Sequence, residues 1–281
     1  MKKFSFWSLL TIVFFASTLG FVSCSDDDND NDKSEDTEHT TGGGTQGGNN
    51  STNKTFTVNG VQFTMVAVDG GTFQMGSNDG RDNQKPVHSV TLSSYYIGQT
   101  EVTQALWKAV TGSGSSWSYF EGDNLPVESV TCNDCQYFIN KLNQLTGERF
   151  RLPTEAEWEF AARGGNKSRG YIYSGSDNID DVAWHTGNSG KKTHPVGTKA
   201  PNELGIYDMS GNVWEWCQDW YGSYSNSAQT NPTGPASGYA SGYARMFRGG
   251  CYRFCVSTVF RNYYDFQAAN IDLGFRLALS K

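Results

Sequence analysis

Positive charge is in short supply: 22 Lys and Arg stand against 29 Asp and Glu, for a formal net charge of −7. A chain so balanced lacks the basic field that draws nucleic acid, so no nucleic-acid partner is expected. Proline is scarce as well, seven residues against 32 glycines. So much glycine asks for many turns and positive-φ positions, which favours a loop-rich globular domain over a helical bundle. The four histidines, His39, His88, His185 and His194, form no H-x-E or i,i+4 pair. A P-loop, a dinucleotide fingerprint and a Ser-His-Asp order are also missing, which removes the nucleotide-binding and triad-hydrolase classes. No period of 20–50 residues repeats, which excludes a solenoid or propeller. What is present is aromatic mass, 14% of the chain, within 37% hydrophobic residues, enough to build a core.

The N-terminus has its own character. Lys2 and Lys3 precede an apolar stretch from Phe4 to Val22, the pattern of a secretory signal. The stretch runs straight into Ser23-Cys24 and an acid run, so it does not read as a transmembrane anchor. Phe21-Val22-Ser23-Cys24 resembles a bacterial lipobox, and Asp26-Asp27-Asp28 resembles the surface-export signal of Bacteroidota lipoproteins. The resemblance implies that Cys24 is the mature N-terminus and carries lipid, anchoring the chain to the outer membrane and facing the cell surface. Residues 25–54 contain no aliphatic or aromatic side chain, so nothing there offsets the entropy of ordering. Asp26 to Asp32 lacks the Gly and terminal Glu of an EF-hand loop. The expected organisation is a signal peptide over 1–23, an acidic and Gly-rich tether over 24–54, and one globular domain over 55–281.

Within 55–281, Phe56, Val58, Val61 and Phe63 alternate around Asn59-Gly60, a hairpin signal. Helices are expected over about 103–111 and 133–146, where the apolar residues follow a 3.6 period, the second ending at Gly147. A third begins after Thr154, a predicted N-cap with Glu157 as its capping-box partner, and ends at Gly164. Short strands and long turns should follow. In Val213-Trp214-Glu215-Trp216 the two tryptophans fall on one face of a strand and Glu215 on the other. Asp208, the carbonyls of Gly211 and Val213, and Glu215 are hard oxygen donors within eight residues, suited to calcium; a carboxylate satisfied by backbone N–H groups and arginine is the alternative.

Several motifs occur in order from about residue 65 to the end. They are Gly70-Gly71-Thr72-Phe73-Gln74-Met75-Gly76-Ser77, Pro86-Val87-His88, Thr100-Glu101-Val102-Thr103, Arg151-Leu152-Pro153-Thr154-Glu155-Ala156-Glu157-Trp158-Glu159, Gly205 to Trp216, Arg248-Gly249-Gly250 and Leu273-Gly274-Phe275-Arg276. The ordered set resembles the formylglycine-generating-enzyme (sulfatase-modifying-factor) family. The resemblance implies an α+β, C-type-lectin-like fold and a structural calcium on Asp208, Gly211, Val213 and Glu215. A second family calcium site would fall near Val182-Ala183-Trp184, where Val182 replaces a side-chain ligand, and is not carried over.

Family enzymes oxidise a substrate cysteine with copper and oxygen, using two cysteines after a Gly-Gly-Ser motif. Here the Ser is Cys251, and the family cysteine positions hold Phe254 and a residue near Val259. Cys251 and Cys255 fit neither position, so they remain candidates only for a copper-dependent oxidase as the alternative function, or for a disulfide. Cys132-Asn133-Asp134-Cys135 at a helix start is a possible redox pair or a structural one. With Cys24 lipidated, Cys132, Cys135, Cys217, Cys251 and Cys255 leave an odd count, so at least one thiol lacks an intrachain partner.

The stretch from Arg248 to Lys281 also resembles the variable region of retroelement-diversified lectin-fold proteins. There a framework of Arg248-Gly249-Gly250, Arg261-Asn262 and Leu273 to Arg276 brackets Tyr252, Arg253, Phe254, Tyr263, Tyr264, Asp265 and Phe266. Aromatic residues and arginine on a rigid scaffold suit recognition; packing into the core is the competing role. The expected function is therefore a surface-anchored, non-catalytic protein that binds a protein or glycan. A structural role in an envelope machine is a weaker alternative.

Overall fold

The computed structural model describes residues 52–113, 118–237 and 243–281. Cys24 and nearly all of the tether lie outside the described residues. Asn59 and Gly60 both take positive φ, 46° and 84°, as a two-residue primed turn requires. They join β1 (Lys54–Val58) to β2 (Val61–Val68) as the alternation predicts. Three more strands follow, β3 (Gly71–Met75), β4 (His88–Leu92) and β5 (Tyr95–Gly98).

Three helices then form where periodicity and caps place them. α1 (Gln104–Thr111) is capped by Thr103 and ends at Gly112 in the left-handed region. α2 (Cys132–Thr146) has a Thr131/Asp134 capping box and ends at left-handed Gly147. After β6 (Phe150–Arg151), α3 (Glu155–Ala162) carries the predicted capping box of Thr154 and Glu157. Every residue of α3 is buried, its three glutamates included. A single turn, α4 (Ile179–Val182), precedes the strands of the second half: β7 (Trp214–Trp220), β8 (Gln229–Thr230), β9 (Ala244–Arg248), β10 (Asn262–Asp265), β11 (Leu273–Gly274) and β12 (Ala278–Ser280).

The strands make three sheets, ordered β1-β2-β5-β12-β6, β10-β9-β7-β11 and β3-β4-β8. The final strand β12 inserts between β5 and β6, tying the end of the chain to its beginning. One core forms around α1 and α2, where the Trp107 ring stacks on Phe138 at 5.2 Å and both meet Phe275. A second surrounds Trp158 and Phe160 of α3. Trp214 and Trp216 bury on one face of β7 as expected, but the opposite face is covered too, so Glu215 is fully buried. Among the described residues no helix is long and apolar enough to cross a membrane.

Candidate functional site

Three arginines pin the C-terminal segment from Arg248 onward to buried carboxylates. Arg248, at the end of β9, donates to Glu159 of α3 and to the carbonyls of Thr258 and Val259. Arg261, just before β10, grips Glu155 of α3 with Nε at 2.7 Å and Nη2 at 2.6 Å. Arg276 grips Glu215 of β7 through Nε and Nη2, both at 2.6 Å, and its remaining donors reach the Gly98 and Tyr207 carbonyls. Paired, hydrogen-bonded and sealed from water, these contacts hold the backbone at three posts. The loop 249–260 and strand β10 hang between them.

At the start of that loop Gly249 and Gly250 take φ of 102° and 71°. A Cβ on Gly250 would sit 2.9 Å from Val256 Cγ2, so the turn closes only around glycine. Cys251 and Phe254 then exchange backbone hydrogen bonds, at 3.2 and 2.9 Å. Tyr252 turns inward. Its N–H donates to the Asn212 carbonyl and its own carbonyl accepts from the Ser189 hydroxyl. Its ring is buried against Phe120. Tyr252 is thus part of the support. Burial lifts its hydroxyl to about 12.

Arg253 and Phe254 point out, as do Tyr263, Tyr264 and Asp265 on β10, an edge strand; Phe266 is half-buried just beyond it. Tyr264 lies opposite Arg245 of β9, whose guanidinium stacks at 3.6 Å on the ring of Trp220 in β7. Phe266 meets Trp220 edge-on and stacks on Tyr243. On the other face of β10, Tyr263 lies 4.0 Å from Tyr221. Phe254 connects to this band through Trp214 and Phe247. The structure therefore gathers six of the seven expected recognition residues at or near one exposed edge and assigns the seventh, Tyr252, to the interior.

The thiols tell a different story. Cys132, Cys135, Cys217 and Cys251 are buried thiols in no disulfide. Cys251 is buried, with its sulfur 3.6 Å from Asp272 Oδ2. Burial raises its thiol far above the ordinary range, and the Asp272 charge adds to the rise. A soft Cu(I) site needs paired thiolates, and a thiol so held resists ionisation. Among the described residues Cys251 and Cys255 belong to no cluster of three or more metal-ligating side chains. Cys132 and Cys135 are buried inside the first turn of α2, and burial raises both, the reverse of the lowered value a redox pair needs.

The positions expected to hold calcium fit in part. Both oxygens of Glu215 are engaged, by Arg276 and by the indole N–H of Trp158 at 2.7 Å. Asp208 keeps one oxygen on the Gly197 N–H at 2.7 Å. Its other oxygen, Oδ1, is buried with no donor among the described residues, and so is Oε1 of Glu101. Burial is the main cause that lifts Asp208 to about 6, and Glu101 also rises by burial with Asp208 and Glu215 nearby. Two buried acceptors without donors are what a bound cation would satisfy. Among the described residues no group of three or more His, Cys, Asp or Glu is arranged to hold a metal.

One acid escaped the sequence reading. Asp219, near the end of β7, is 4% exposed and lines a cavity of about 580 Å³. An acid between aromatic residues in Trp216-Cys217-Gln218-Asp219-Trp220 was the available signal. His88 lines the same cavity, its ring 4.7 Å from that of Tyr224 and tilted by 56°.

Residues 50–281 match the sulfatase-modifying factor enzyme 1-like domain family. The chain is 34% identical to chaperone protein LppX of Paenibacillus barcinonensis, covering 79% of this chain and 91% of that relative. It is 31% identical to the formylglycine-generating enzyme of Streptomyces coelicolor, covering 76% and 88%. Among solved structures, Treponema denticola variable protein 1 superposes with a TM-score of 0.76 at 34% identity, covering 83% of this chain and all of that one. PvdO from Pseudomonas aeruginosa gives 0.64 at 26% identity, covering 78% and 94%. The fold is α+β, of the formylglycine-generating, C-type-lectin-like kind.

Proposed function

The chain belongs to the sulfatase-modifying factor enzyme 1-like domain family, and we propose that it is a non-catalytic member. In this reading it binds a protein or glycan through the aromatic edge of Phe254, Tyr263, Tyr264 and Phe266. The observation that carries the reading is exposure on a rigid base. Phe254, Tyr263 and Tyr264 are 39%, 44% and 45% exposed, while the segments bearing them are fixed by Arg248, Arg261 and Arg276. Large apolar rings held rigid bind at small entropic cost, and Arg253 and Asp265 supply a polar rim. Likeness to a variable protein supports a face whose residues are free to differ while its posts stay.

The competing reading, a copper-dependent formylglycine-generating oxidase, is favoured by the identity to the Streptomyces enzyme. One pair of experiments separates them. Glycan and bacterial-surface-protein arrays are probed with the wild type and with the triple variant Phe254→Ser, Tyr263→Ser, Tyr264→Ser. The variant is expected to lose at least tenfold in binding while its melting temperature stays within a few degrees, because exposed sites contribute little to stability. In parallel, a Cys-x-Pro-x-Arg peptide with copper and oxygen is expected to keep its thiol. Aldehyde formation that stops on Cys251→Ser would reverse the assignment.

Anchoring belongs to the same proposal. Cys24 carries lipid and holds the domain at the outer face of the outer membrane. Cys24→Ala is expected to move the protein from the membrane fraction to the soluble one; retention in the membrane fraction contradicts the anchor.

Calcium near Asp208 would offset the negative surplus of Glu101, Asp208 and Glu215, which Arg276 alone does not balance. Millimolar calcium is expected to raise the melting temperature of chelator-treated protein, by mass action on the folded state. Asp208→Asn should remove the rise. Identical melts with and without calcium remove the ion from the account and leave the binding face untouched.

A further inference from the structure

We propose that the cavity between the start of α3 and the 219–235 segment binds an ammonium or guanidinium group, with the Asp219 carboxylate as its counter-charge and Trp220 and Tyr224 among its walls. The cavity shares Trp220 and Arg261 with the base of the aromatic edge, but the acid that defines it, Asp219, is no part of that edge.

The argument is a matching of charges. Glu155 is taken by Arg261, Glu157 by Arg151, and Glu159 by Arg163 and Arg248. Asp219 has no such partner. Its Oδ2 accepts the N–H of Glu155 at 2.9 Å, and Oδ1 makes no hydrogen bond among the described residues. An anion is unsuited to the cavity. Arg261 is the guanidinium that lines it, and its donors are committed to Glu155, Asn83 O, Gly222 O and the Met246 sulfur. The acid left without an arginine is Asp219, almost wholly buried, bordering open space and able to carry a charge only when a cation meets it.

The space fits the group. About 580 Å³ lies within the range of small-ligand sites and holds the side chain of a lysine or arginine, or a short free amine. The rings of Trp220 and Tyr224 already carry the guanidiniums of Arg245 and Arg261, at 3.6 and 3.9 Å, so the choice of a cation rests on Asp219. The groups that face Asp219 are Glu155 and Glu157 of α3, Arg261 ahead of β10, Arg245 of β9 and Cys217 of β7. His88 of β4 and Tyr224 share the cavity. Burial, then Glu155, lift the Asp219 carboxyl to about 8, so an incoming cation must displace a proton at neutral pH.

The probes are agmatine and cadaverine as free amines, and a Gly-Gly-Lys-Gly-Gly peptide blocked at both ends as the side-chain source. Glutarate, 1-pentanol and calcium chloride are the controls, and binding to the full globular chain is followed by calorimetry. Saturable binding of an amine or of the peptide is expected, tightening as pH rises from 6 to 8.5. Preference for agmatine or cadaverine assigns a free small molecule; preference for the peptide assigns a polypeptide side chain. Asp219→Asn should weaken binding at least tenfold at pH 8. Thr233→Trp, on the exposed rim of the cavity, should block it without touching the core, and covers the case in which the Asp219 variant folds poorly. The proposal fails if neither amine nor peptide binds at millimolar concentration. It fails equally if both variants bind as the wild type does, or if glutarate, pentanol or calcium binds as well as the amines.

Discussion

Replacing Arg276 by Met is expected to lower the melting temperature by roughly 10 °C or more, the largest loss from any single side chain discussed above. Arg276 and Glu215 are both fully buried, and two 2.6 Å hydrogen bonds join them. Removing one partner strands the other charge in a medium that cannot solvate it, at a cost of about 3–5 kcal/mol. For a domain of this size each kcal/mol moves the midpoint by about 2–4 °C. Two carbonyls, Gly98 O and Tyr207 O, also lose their donor, which adds to the penalty. Thermal melts by circular dichroism measure the effect. The double variant Arg276→Met, Glu215→Gln should recover part of the loss, because the uncompensated charge is gone. A melting point unchanged by Arg276→Met would show that the C-terminal posts do not bear on stability.

Asp219→Asn is expected to do the opposite and stabilise the protein, by an amount that grows with pH. The folded protein holds the Asp219 carboxyl at about 8, against an ordinary 3.8, chiefly because burial disfavours its charge. Between those values the native state binds a proton that the unfolded state has released, so wild-type stability falls as pH rises from about 4 to 8. An amide has no proton to lose and still presents an oxygen to the Glu155 N–H. The two proteins should therefore unfold alike near pH 4 and diverge by roughly 2–5 kcal/mol at pH 8. Urea titrations at three pH values test this. A constant difference across the range would mean that Asp219 does not titrate there. Stability gained while amine binding is lost is the pattern of a residue kept for a ligand at the expense of the fold.

Much of the chain was readable in one dimension. The Asn59-Gly60 turn, the cap at Thr154, the Gly147 stop and the apolar spacing of α1 and α2 are signals spanning fewer than twenty residues, and each of these elements formed within a residue or two of its expected place. The ordered motifs named the family for the same reason, since they are short segments whose glycines, caps and tryptophans are visible where they stand. Local geometry leaves a local trace.

Side-chain fate did not read out this way. Tyr252 and Phe254 lie two apart in a stretch with no helix or strand period, and only the placement of Phe120 and the Asn212 carbonyl decided which turned inward. Glu215 suggested a metal ligand because its partner, Arg276, lies 61 residues away and its indole donor, Trp158, 57 away. Asp219 left only the faint trace of an acid between tryptophans; its meaning lies in the arginines that other acids claim and it does not. The sequence by itself determined the first hairpin, the three helices, the cap at Thr154 and the family. Tertiary structure alone decided which acids are neutralised, which rings face water and where a cavity opens, because each of those depends on the nearest charge or ring in space, supplied by distant parts of the chain.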